Sequence, residues 1–178
     1  MRLNSRKKGF TLIELLVTIS VTILLSGLLI GYTRTGEKQI TLVTEQAKMV
    51  GIILRAKTLA IQASKEQAAP CGYGVNFVSP TEYILFKKPK LPVGCDDPSN
   101  KRYANPANEK IQSFVLESGI NISSINPSLQ DIFFLPPDPK VFFDGQEPAL
   151  GAEAVITLSA DNISLAVHVN RVGQITTH

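Results

Sequence analysis

Hydrophobic and polar positions divide the chain into three textures. Over residues 10–32 apolar side chains follow one another almost without interruption, and Glu14 is the one acidic residue among them. From Glu37 the pattern turns amphipathic. Leu42, Met49, Ile52, Ile53, Ala56, Leu59, Ala60 and Ala63 recur at three- and four-residue steps, with Glu45, Lys48, Arg55 and Lys57 interleaved. No proline occurs before Pro70, so the two stretches predict one helix over residues 10–65, roughly 80 Å long. Gly27, Gly31 and Gly36 loosen it midway. The second half of this helix is expected to bury its stripe on a folded domain.

Beyond Pro70 the texture becomes short alternating runs separated by turn-formers. Residues 72–78 and 82–86 flank Ser79-Pro80 and predict a hairpin. A proline- and charge-rich excursion occupies residues 89–107. Further strands are expected at 111–116, 120–125, 131–135, 141–143, 154–159, 163–169 and 172–176. Pro136, Pro137 and Pro139 punctuate the centre, and Asp144-Gly145 reads as a turn. One long helix followed by a series of short strands implies an α+β fold, with the helix covering one face of antiparallel sheet.

The apolar run raises a chemical problem. Twenty-three residues make a helix of about 35 Å, enough to cross a hydrocarbon core of about 30 Å. A carboxylate such as Glu14 near one end of such a span costs on the order of 3 kcal/mol unless something neutralises it. Nothing within the run supplies a cation. Directly before it stand Arg2, Arg6, Lys7 and Lys8, with no acid among the first nine residues.

The segment Lys7-Lys8-Gly9-Phe10-Thr11-Leu12-Ile13-Glu14-Leu15-Leu16-Val17 resembles the type III signal of type IV pilins and type II secretion pseudopilins. The resemblance implies that a prepilin peptidase of the membrane cuts after Gly9 and that the new terminal residue, Phe10, is N-methylated. It implies that Glu14, then the fifth residue, meets the terminal amine of a neighbouring pilin or pseudopilin subunit during assembly, which supplies the missing partner. Many major pilins carry a proline kink farther along the helix; here Gly31 holds the matching position. The implied organisation is a cleaved leader (1–9), a transmembrane and filament-core helix (10–32), a soluble helical half (33–65) and a β-rich head (66–178). A secretory signal peptide fits poorly, because the apolar run is too long and no Ala-x-Ala follows it. A plain anchor explains neither Glu14 nor the Gly9-Phe10 junction.

Charge supports this organisation. The whole chain carries 18 basic and 15 acidic side chains, but four of the basic ones precede Phe10. The remainder is close to neutral, so whole-chain basicity gives no reason to expect nucleic-acid binding. The basic flank places the N-terminus in the cytoplasm and the head outside the bacterial inner membrane. In the C-terminal third, Val141-Phe142-Phe143-Asp144-Gly145, then residues 154–158, then Val167-His168-Val169 with Gly173 and Ile175 resemble the minor pseudopilin H/FimT-type subfamily. No aspartate-rich loop of the kind with which major pseudopilins bind calcium is identified.

Cys71 and Cys95 lie in the outward portion, where disulfides persist. Bridged, they would close a loop of about 25 residues; the alternative is two free thiols. His168 and His178 lack ligand spacing, so no metal and no cofactor is expected. His168 sits in a strand-like alternation and is expected on the solvent face. No nucleophile–base order or phosphate loop stands out, and an enzyme is not expected. Lys87, Lys88, Lys90, Lys101 and Arg102 surround the cysteine loop, with Tyr83, Phe86 and Tyr103 nearby. Folded together they would form a cationic patch suited to DNA, as in minor pilins of DNA uptake. Solvated lysines that keep a loop soluble are the plainer reading of the same residues.

Overall fold

A single helix, α1 (Leu12–Ala63), joins the apolar and the amphipathic stretches. The structure is a computed structural model describing residues 10–63, 70–90, 94–104, 106–138 and 140–177, with the side chains of residues 29–35 outside that description. The leader, and the end of the helix expected near residue 65, therefore lie outside the described residues. The chain forms two compact units, Met1–Lys38 and Gln39–His178.

In the first unit the helix is apolar on all sides. Leu12, Ile13, Leu15, Leu16, Val17, Ile19 and Leu28 all stand exposed. Thr18, Ser20, Thr22 and Ser26 each turn their hydroxyl back onto a carbonyl three or four residues earlier, so they present no unsatisfied donor sideways. Among the described residues no helix is long and apolar enough to cross a membrane. The run from which the span is read ends within residues 29–35, so the 10–32 crossing stays an expectation of the sequence.

The second unit is built on two antiparallel sheets. The strands are β1 (Gly72–Ser79), β2 (Glu82–Lys88), β3 (Lys110–Val115), β4 (Asn121–Asn126), β5 (Asp131–Leu135), β6 (Lys140–Phe143), β7 (Glu153–Ala160), β8 (Ile163–Asn170) and β9 (Ile175–Thr177). One sheet has the order β3-β2-β1-β5-β6 and the other β4-β7-β8-β9. The β1–β2 hairpin forms as expected, with Ser79 still in β1 and the turn at Pro80-Thr81, one residue beyond the expected Ser79-Pro80. β5 returns to the far side of β1 and pairs Val75 with Ile132. Gly74 makes this close approach possible: a Cβ there would lie 2.6 Å from the Ile132 carbonyl oxygen and 2.7 Å from the Phe86 ring. At Asp144-Gly145 both residues adopt positive φ, 48° and 77°, and Phe143 and Gln146 exchange two backbone hydrogen bonds of 2.9 Å across the turn.

Two apolar layers hold the head together. Leu42, Met49, Ile53, Ala56 and Ala60 of α1 pack with Val75, Leu85, Ile132 and Phe134 of the first sheet and Ile156, Leu158, Val167 and Val169 of the second. On the opposite face of the first sheet, Cys71, Ile84, Phe86, Phe133 and Phe142 form a smaller cluster, with Cys95 and Tyr103 packed against it. The excursion after β2 thus covers the sheet's outer face. It contains a 3₁₀ turn (Pro98–Lys101), capped by Asp97, and a one-turn helix, α2 (Pro106–Glu109).

Two expectations are corrected. Glu45, read as part of the polar set, is buried at 3% exposure. It lies three residues after Leu42 and four before Met49, on the phase of the buried stripe, and Lys48 reaches it at 2.6 Å. The last strand is shorter than 172–176. Asn170 Oδ1 accepts hydrogen bonds from the N–H groups of Val172 and Gln174, and Gly173 takes φ +71°, so this stretch closes a turn before β9 begins.

Candidate assembly site

Helix α1 starts on a reciprocal cap. Glu14 Oε2 accepts from the Thr11 N–H at 3.1 Å and from the Thr11 hydroxyl at 3.0 Å, while Thr11 Oγ1 accepts from the Glu14 N–H at 3.3 Å. This is a capping box, and the Thr11-x-x-Glu14 spacing that announces it stands in the sequence. The sequence reading took Glu14 only as a charge in want of a cation and missed this second role. Both side-chain bonds use Oε2. Phe10, the residue before the cap, is 84% exposed. Gly9, the other half of the expected junction, lies outside the described residues.

The head presents a different picture. Cys71 and Cys95 are bridged, with Cα atoms 5.2 Å apart, so the free-thiol alternative does not hold in this structure. The bridge closes a loop whose chain-entropy contribution is about 3 kcal/mol. Its position explains its use: Cys71 opens β1, and Cys95 lies in the excursion that the bridge ties down on the small cluster.

The five cations proposed as a DNA patch do not gather on one exposed face. Lys88 is buried at 3%, and its ammonium donates at 2.6 Å to Glu109 Oε1 and at 2.6 Å to the Arg102 carbonyl oxygen. Glu109 Oε2 accepts from the Ala104 N–H at 2.8 Å, so the pair fastens the excursion to β2. Lys101, also buried, donates to the Asp96 carbonyl oxygen and stands 4.3 Å from the centre of the Phe142 ring. The Arg102 guanidinium lies 3.8 Å from Asp131. Lys87 and Lys90 remain exposed. Of the aromatics, Tyr83 and Phe86 are core residues. Lys88 and Lys101 are consumed in holding the excursion in place, because a buried ammonium must find a carboxylate or carbonyl wherever the chain carries it.

Asp131 is buried as well, like Glu45 and Glu109. It accepts from Asn76 Nδ2 at 2.9 Å, and burial raises its pKa to about 6 against the partial relief given by Asn76 and Arg102. Burial, with a smaller push from Glu45, raises the Tyr83 phenol to about 12. His168 is half-buried rather than fully solvent-facing, with Nδ1 3.3 Å from Glu153. His178 lies outside the described residues. Among those described, no group of three or more His, Cys, Asp or Glu could hold a metal ion. An open depression of about 520 Å³ is lined by Arg102, Leu129, Phe143, Asp144 and Pro148 among others, but Asp144 Oδ1 already accepts from the N–H groups of Gln130 and Asp131.

Residues 4–30 match the family model for the prokaryotic N-terminal methylation motif. The matched segment covers the leader, the cap and most of the apolar run. It supports the type IV pilin/pseudopilin family and indicates a type IV pilin-like precursor that prepilin peptidase processes. It implies a structural subunit that assembles with other pilins. No curated protein and no solved structure matches the chain.

Proposed function

We propose that the protein is a minor pilin or pseudopilin of a type IV pilus or a type II secretion pseudopilus, of the minor pseudopilin H/FimT-type. It is made as a prepilin in the bacterial inner membrane, cut between Gly9 and Phe10, N-methylated at Phe10 and built into a filament through α1. The observation that carries this reading is the methylation motif over residues 4–30, joined to a helix that begins on the Thr11–Glu14 cap. The cap holds the carboxylate at the first turn of α1 through Oε2 and leaves Oε1 for the terminal amine of a neighbour. An amine and a carboxylate that are each costly in an apolar filament core become tolerable as a pair. The β8–β9 pair, in which Val169 faces Ile175 around Gly173, supports the subfamily reading.

Mass spectrometry of protein extracted from membranes tests the reading. The mature chain is expected to begin at N-methylated Phe10, and Gly9→Leu is expected to retain the leader, since the peptidase must admit a small residue there. A wild-type chain beginning at Met1, or cut after Tyr32, overturns it.

A further inference from the structure

We draw no further inference here: the strongest candidate, the surface patch of exposed cations Arg55, Lys87 and Lys110 where α1 meets the β2–β3 edge of the first sheet, carries none, because nothing in the structure shows what covers it.

Discussion

The two units treat the same residue types in opposite ways. In the head, a core of leucine, isoleucine and phenylalanine is packed to zero exposure, as at Leu42, Ile53, Leu85, Ile132 and Phe134. In the first unit the same types stand in the open along α1. Carboxylates differ too. Glu109 is held inside the head by an ammonium and an N–H, whereas Glu14 is exposed and steadied by its own cap. The head's buried polar groups are satisfied: no buried side-chain polar atom among the described residues lacks a partner. The first unit is incomplete, since its exposed apolar surface and its carboxylate both ask for something outside the subunit. A fold with a packed core is thus joined to a helical segment that leaves its apolar side chains uncovered.

This contrast breaks most sharply at Glu14. If the carboxylate serves assembly alone, Glu14→Leu leaves insertion intact, because a charge has left an apolar run, and processing continues. Appearance in filaments, measured on sheared fractions, is lost. Wild-type recovery of that variant would make Glu14 a capping residue and nothing more.

Within the head the largest single effect is expected at the Lys88–Glu109 pair. Glu109→Ala strands a buried ammonium and is expected to cost about 3–5 kcal/mol. The loss should appear as a lower denaturant midpoint of the head, with leader processing unaffected. Replacing both partners together with apolar residues should recover much of it, which separates a stranded charge from a general weakness of the excursion.

A smaller effect follows from Asp131. Its folded pKa, about 6, lies above the ordinary 3.8, so the folded head binds this proton more tightly than the unfolded chain. Protonation therefore adds stability that is fully present below about pH 4 and is lost as pH rises through about 6, on the order of 1–3 kcal/mol. Urea midpoints of wild type and Asp131→Asn between pH 4 and 7 should converge at the acid end and diverge at neutral pH. Parallel profiles would remove Asp131 as the source.

Much of the fold was legible because its signals are local. Alternation over 72–78 and 131–135, the Asp144-Gly145 turn and the three- and four-residue steps from Leu42 to Ala63 each report a periodicity that the backbone itself imposes. The Thr11-x-x-Glu14 cap was equally local and was overlooked beside the louder question of charge in an apolar run. Glu45 was misread for a related reason: a carboxylate on the buried phase was assigned by its chemistry rather than its spacing.

Sequence by itself determined the elements, their order and the N-terminal motif with its junction and carboxylate, since each is written within a few neighbouring residues. Tertiary structure alone decided that β5 lies against β1, that Asn76 meets Asp131 and that Lys88 meets Glu109. It also decided that Lys88 and Lys101, which look in the sequence like part of a ligand-binding patch, are internal fastenings. These are relations between residues far apart along the chain or pointed in directions that only packing fixes. No local pattern carries them.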